Sequence, residues 1–92
     1  MRIAIIGGGA AGMMCAATIQ EEHPEAEVLL FEKNSSLGKK VIISGGGRCN
    51  VTTGFSDIRM ILKKYPRGEK FLFSAMSRYS PEAVWQWFES HG

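Results

Sequence analysis

The amino-acid sequence predicts an α/β fold in which an N-terminal βαβ unit is followed by helices. Arg2–Ile6 is short, apolar and β-branched, and it runs directly into glycine, as a strand buried on both faces of a parallel sheet does. Residues 10–22 are helix formers that end before Pro24, and residues 27–32 form a second apolar strand that ends in an acid. A strand, glycine turn, helix and strand in this order predict a right-handed parallel βαβ unit.

Downstream of this unit, residues 55–92 carry apolar side chains at helical spacing. Two such sets are Ile58, Ile61, Leu62 and Tyr65, and Leu72, Ala75, Met76 and Tyr79. Pro66 is expected to end the first helix. Ser80-Pro81-Glu82 predicts the start of a third helix, because it supplies a capping hydroxyl, a proline for the first turn and an acid near the positive end of the dipole. The side chains of Trp85, Trp87 and Phe88 in this third helix are predicted to be core.

Composition excludes several classes of protein. The net charge of the 92 residues is +2, which is too small and too evenly scattered to predict nucleic acid or an anionic membrane as a partner. Cys15 and Cys49 form neither a disulfide framework nor a metal-ligand set, so we expect no metal site and a cytoplasmic location, with Cys15 buried as an apolar filler. The glycines within residues 1–17 argue against a signal peptide.

The first glycine cluster satisfies the pattern G-x-G-x-x-G with Gly7, Gly9 and Gly12. Gly7 allows a sharp turn out of the strand, Gly9 leaves room for a pyrophosphate, and Gly12 allows the helix to pack close to the strands. The N–H groups of the first helical turn would then bind phosphate. The alternative is a tight structural turn.

Glu32 lies twenty residues beyond Gly12, at the tip of the second strand. At this place a carboxylate accepts hydrogen bonds from an adenosine ribose 2′-OH and repels a 2′-phosphate, which disfavours NADP at this site. The glycine loop and this acid predict an adenine dinucleotide, which both NAD and FAD contain. The alternative for Glu32 is a surface acid without a ligand.

A second glycine cluster, Gly45-Gly46-Gly47, must be irregular and lies between two cationic side chains, Lys40 and Arg48. Ordering successive glycines is entropically costly, and such a run is useful where backbone approaches a flat ring or presents several N–H groups to an anion. A flexible linker is the alternative. The stretch Val41-Ile42-Ile43 just before it has β propensity but is too short to assign.

These motifs together resemble a known family. The loop Gly7–Gly12 followed by Ala16, and Glu32 followed after five residues by Gly38, resemble the N-terminal signature of flavoproteins with two dinucleotide-binding domains. The stretch from Gly38 to Thr52 is similar to the GRKLLISGGGRCNLTN block of the BaiN/RdsA-like flavoproteins, which include aminoacetone oxidase-like and bile-acid dehydro-reductase-like enzymes. The resemblance covers essentially the whole chain. Thr53 departs from it, since the family usually has asparagine there.

The resemblance implies a Rossmann-like FAD-binding domain in a flavin-dependent oxidoreductase, with NAD(P)H as a possible electron donor. It places the pyrophosphate at Gly7, Gly9, Ala10, Ala11 and Gly12 and the ribose at Glu32. It also places Lys40 near the adenosine end. The residues that it places along the phosphates toward the flavin are Ser44, Gly45, Gly46, Gly47, Arg48, Cys49, Asn50 and Thr52.

Only two strands are convincing, whereas a doubly wound sheet needs more. We therefore expect residues 1–92 to be a single partial FAD-binding domain, with the βαβ unit and glycine-rich loop in 1–54 and a helical segment in 55–92. The expected partners are the remainder of a flavoprotein chain and a small-molecule substrate, and the 92 residues alone are expected to be inactive. No residue is predicted to be catalytic. An NAD-linked dehydrogenase and a non-catalytic dinucleotide-binding module are the alternatives.

Overall fold

The computed structural model describes all residues, 1–92, and divides them into two compact units, Met1–Cys49 and Asn50–Gly92. The elements of unit one are β1 (Arg2–Ile6), α1 (Ala10–Glu22), β2 (Glu27–Phe31) and α2 (Lys39–Gly47). Those of unit two are α3 (Ile58–Leu62), α4 (Glu69–Arg78) and α5 (Pro81–His91). This order confirms the predicted α/β class with a βαβ unit followed by helices. The assignment of both units to one partial domain stays a prediction.

The sheet of unit one consists of β1 and β2, paired in parallel from Arg2 opposite Glu27 to Ile6 opposite Phe31. Its first pair is closed by an exposed ion pair, in which Arg2 Nε donates to Glu27 Oε2 at 2.6 Å. The helix α1 packs against both strands. Parallel pairing brings the carboxyl ends of the two strands together, next to the start of α1.

The prediction that the first strand is buried on both faces is wrong. Ile5 is buried and faces α1, whereas Ile6 is 82% exposed. Successive side chains of a strand point to opposite faces of the sheet, and α1 covers the face that carries Ile5. The apolar run therefore indicated a strand correctly, but it did not indicate what covers its second face.

The stretch Val41-Ile42-Ile43, which the sequence left unassigned, is helical and belongs to α2. Gly38 is its N-cap, with a left-handed φ of 65°, and Ile42 N–H donates to the Gly38 carbonyl at 2.9 Å. The helical conformation breaks at Ser44 (φ −65°, ψ 153°), and Gly45 and Gly46 are left-handed. The predicted irregularity of the glycine run is therefore confirmed.

Unit two contains the three predicted helices, with different ends. The helix α3 begins after Asp57, whose side chain accepts from Arg59 N–H at 2.9 Å, and it ends at Leu62 rather than Tyr65. Tyr65 N–H still donates to the Leu62 carbonyl at 3.0 Å, so the chain continues as a turn. Leu62 is 1% exposed and is the most completely buried side chain of the molecule. The predicted start of α5 is confirmed, because Ser80 Oγ accepts from Ala83 N–H at 3.1 Å.

The prediction that the aromatic side chains of α5 form core, and that Cys15 on α1 is buried, is wrong. Trp85 is 57% and Phe88 46% exposed, and Cys15 is exposed. Trp87 is half-buried and stacks on His91 with ring centroids 4.1 Å apart. Helical spacing identifies an apolar face, but short helices in so small a unit bury little of the surface that they present. No helix of the chain is long and apolar enough to span a membrane.

Candidate functional site: the glycine loop of the first unit

The glycine loop begins with a turn that only glycine adopts readily. Gly7 has a φ of 104°, in the region that L side chains rarely occupy. Its N–H donates to the Phe31 carbonyl at 2.8 Å, so the loop is tied to the last residue of β2. The predicted sharp turn out of the strand is confirmed.

Gly9 and Gly12 are small for different reasons. A Cβ on Gly12 would overlap the carbonyl oxygen of Gly7 and lie 3.5 Å from Ile5 Cγ2, which confirms that this glycine lets α1 approach the strand. A Cβ on Gly9 would meet no atom within 4 Å, and its φ of −83° suits any residue. Folding therefore requires glycine at position 12 and leaves open space at position 9.

The start of α1 presents backbone donors without protein acceptors. Gly9 is the N-cap, and no side chain caps the helix. The first intrahelical bond runs from Met13 N–H to the Gly9 carbonyl at 2.9 Å, so the N–H groups of Ala10, Ala11 and Gly12 lie ahead of the hydrogen-bonded ladder. The first turn contains no acid, so no side chain of α1 itself offsets the positive end of the helix dipole. This arrangement fits a phosphate group.

Glu32 is held by three N–H donors at the carboxyl end of β2. Gly8 N–H donates to Oε2 at 2.8 Å, and Asn34 donates to Oε1 from its backbone at 2.8 Å and from Nδ2 at 2.6 Å. The backbone N–H of Asn34, followed by that of Gly8, lowers the pKa of the Glu32 carboxyl below its ordinary value. A half-buried, ionised carboxylate therefore lies beside the glycine loop at neutral pH.

Two residues of this arrangement, Gly8 and Asn34, were not predicted from the sequence. A Cβ on Gly8 would overlap a methyl group of Leu37 and lie 3.2 Å from Glu32 Oε2, and the Gly8 carbonyl accepts from Gly38 N–H at 2.8 Å. Gly8 occupies a free position of the G-x-G-x-x-G pattern, which therefore gives no signal for it. A short amide side chain two residues after the acid is typical of a local turn, and this was the available signal for Asn34.

The second glycine cluster lies within a kink of the chain at residues 44–49. Ser44 Oγ donates to the Val41 carbonyl at 2.7 Å, and Ser44 O accepts from Cys49 N–H at 3.1 Å. Gly47 and Cys49 also have left-handed φ values, of 85° and 54°. The predicted residues from Ser44 to Cys49 thus lie in one kinked segment, in which Arg48 is exposed, as is Lys40 upstream of it.

The last two predicted residues lie in unit two. Asn50 is exposed, and Thr52 Oγ1 donates to the Pro81 carbonyl at 2.9 Å, which connects the start of the unit to α5. Cofactor contacts for residues 40–52 stay predictions.

The family model described as the HI0933-like protein Rossmann domain matches residues 1–92. The chain belongs to this family. Membership in the HI0933-like family confirms the resemblance and identifies the chain as a Rossmann-type dinucleotide-binding domain.

Curated relatives of this HI0933-like chain carry two different names. The chain is 35% identical to the 3-dehydro-bile acid delta(4,6)-reductase of Clostridium scindens, over 80% of this chain and 21% of the relative. It is 38% identical to the ribosomal RNA dihydrouridine synthase of Escherichia coli, over 83% of this chain and 18% of the relative. The chain therefore spans about a fifth of the length of these relatives. No solved structure matches it.

Proposed function

We propose that this chain binds FAD and supplies the N-terminal dinucleotide-binding part of a flavin-dependent oxidoreductase. The observation that carries the proposal is the start of α1, where three backbone N–H groups without protein acceptors lie beside the open space at Gly9. A pyrophosphate provides the acceptors that these donors lack. Membership in the HI0933-like family supports the same assignment.

Each part of the dinucleotide has a group to bind it. The pyrophosphate lies on Gly7, Gly9, Ala10, Ala11 and Gly12, with the α1 dipole behind it. The ionised Glu32 accepts from the 2′-hydroxyl of the adenosine ribose and repels a 2′-phosphate. FAD supplies hydride transfer at its isoalloxazine ring, and the protein contributes binding and orientation.

The choice of FAD over NAD depends on the second cluster. Both cofactors contain an adenosine diphosphate, which the loop and Glu32 bind equally well. A site for NAD leaves the kinked Ser44–Cys49 segment without a role, whereas the longer FAD molecule extends beyond the pyrophosphate and can use it. Lys40 then lies near the adenosine end of the same cofactor site.

For the whole protein we propose a cytoplasmic oxidoreductase that acts on a small molecule and uses NAD(P)H as the electron donor. The reductase name of the Clostridium scindens relative supports a redox activity. The remaining partner is the rest of a flavoprotein chain, which would enclose the flavin ring.

The test is purification of the protein expressed from its complete gene, followed by a flavin absorbance spectrum and mass analysis of the ligand released on denaturation. We expect a yellow protein that releases FAD. A colourless protein that binds NAD would contradict the proposal. If the protein is yellow but neither NAD(P)H nor a substrate reduces its flavin, the result would instead favour the non-catalytic binding module.

A further inference from the structure

The carboxylate of Glu32 is already fixed before any ligand is considered. Asn34 holds Oε1 with two donors, at 2.8 Å and 2.6 Å, while Gly8 holds Oε2 with one, at 2.8 Å. The Asn34 side chain is therefore the only side chain among the three donors. Its amide and its backbone N–H converge on a single oxygen and prevent the carboxylate from rotating.

The two oxygens differ in what they can still accept. An ionised carboxylate offers about four acceptor positions, two on each oxygen. The two bonds from Asn34 occupy both positions of Oε1, and Gly8 occupies one position of Oε2. One acceptor position of Oε2 is therefore left for a ligand.

We propose that Asn34 is the positioning residue of the ribose site, which directs the free acceptor position of Glu32 Oε2 at one ribose hydroxyl of the dinucleotide. This inference depends on the proposed function, since it assumes that Glu32 binds the ribose. Asn34 acts through Glu32 and does not itself touch the cofactor. A side chain held in its bound orientation loses less conformational entropy when the ligand arrives.

The experiment measures FAD affinity of the apoprotein, prepared from the complete gene product, by titration calorimetry. The variants are Asn34→Ala, Glu32→Ala and the double variant. We expect Asn34→Ala to weaken FAD binding by up to about tenfold, because Glu32 is then no longer held in its bound orientation and loses conformational entropy when FAD binds. Glu32→Ala should weaken it at least as much, and the double variant should bind like Glu32→Ala, because Asn34 has nothing left to position.

Two further variants separate positioning from folding. Ser35→Ala changes an exposed neighbour in the same turn and should leave FAD affinity unchanged. Asn34→Ser keeps a short donor and should recover part of the affinity lost in Asn34→Ala. Thermal unfolding of each apoprotein reports any general loss of stability.

The outcomes distinguish the two proposals. If Glu32→Ala binds FAD as the wild type does, the ribose role of Glu32 in the proposed function is wrong. If Glu32→Ala binds weakly while Asn34→Ala binds normally, or if the two losses add in the double variant, the ribose role stands and the positioning role of Asn34 is wrong.

Discussion

At the scale of single residues, glycines of one motif serve different purposes. Gly12 is small because the carbonyl oxygen of Gly7 lies where its Cβ would be, whereas Gly9 faces open space. The G-x-G-x-x-G pattern includes both glycines without distinguishing their roles. The structure shows that Gly12 is needed for packing, whereas Gly9 leaves space that a ligand can use.

Alanine substitution should therefore separate folding from binding. Gly12→Ala is expected to destabilise the fold by about 1–3 kcal/mol, because backbone must move to admit the methyl group. Gly9→Ala should cost less than about 1 kcal/mol, the difference between alanine and glycine as an N-cap, while weakening FAD binding about tenfold or more. Denaturant unfolding and FAD titration of the two variants measure both effects. Equal loss of stability in both variants would contradict this division of roles.

The protonation of Glu32 gives a second residue-scale prediction. Its pKa is lowered in the folded protein by the backbone N–H groups of Asn34 and Gly8, with a smaller contribution from the positive charge of Lys33. A lowered pKa means that the stabilisation is fully present above the ordinary value of 4.5 and is lost as the pH falls through the folded value.

We expect FAD affinity and thermal stability to fall together in this acid range. Glu32→Gln is the matched control, because it keeps the side-chain size and cannot titrate. This variant should bind FAD more weakly than the wild type at neutral pH. Its FAD affinity should also change less as the pH falls. An acid profile identical to that of the wild type would show that another group controls it.

Asn34 and Gly8 mark the limit of prediction at this scale. A motif reports positions that repeat among sites, and neither residue has a fixed place in the dinucleotide pattern. Their roles depend on the fold, which places the turn after β2 beside the loop after β1. The acid itself was predictable because its distance from the glycines is set by the length of the βαβ unit.

At the scale of elements, the quality of prediction follows the range of the interactions. The start of α5 was predictable because capping is local, and Ser80, Pro81 and Glu82 are adjacent in the sequence. The end of α3 was not, because apolar spacing continues to Tyr65 although the helix stops at Leu62. The β-branched residues of α2 are helical because the left-handed Gly38 starts a helix there, and propensity is a weak guide against such a context.

Ser80→Ala tests the cap of α5. The side chain accepts from Ala83 N–H, and its loss should cost about 1 kcal/mol of unfolding free energy. Ser77→Ala is the matched control, because Ser77 is an exposed residue within α4 whose hydroxyl donates to the Phe73 carbonyl and leaves no backbone N–H unpaired when removed. Its effect should stay within about 0.5 kcal/mol. Chemical denaturation measures the free energy of unfolding of both variants, and equal effects of the two substitutions would argue against the cap.

At the scale of the whole molecule, the sequence predicted the fold class but not which apolar side chains are buried. Ile6 and Trp85 were both expected inside and are both exposed. Apolar periodicity records which side of an element prefers to be buried, and the surface that meets it can belong to any other segment. We propose that the rest of a flavoprotein chain covers these side chains, in keeping with relatives about five times as long.

Activity should accordingly depend on more than these 92 residues. Supplied with FAD and NAD(P)H, residues 1–92 alone are expected to show no substrate-dependent reduction of flavin, because a sheet of two strands and the helices α1 to α5 are too few elements to enclose an isoalloxazine ring. Stopped-flow absorbance under anaerobic conditions measures this, with the complete gene product as the positive control. Turnover by residues 1–92 alone would refute the expectation.

The uncapped start of α1 has a consequence for hydrogen exchange. The amide protons of Gly7 and Gly8 already have acceptors at the end of β2, so their exchange with solvent is slowed before a cofactor arrives. Those of Ala10, Ala11 and Gly12 have none, so we expect them to exchange faster. We therefore expect neighbouring amides of one short loop to differ in exchange rate, and the arrival of a phosphate to slow those at the start of α1, which makes these protons an intrinsic reporter of occupancy.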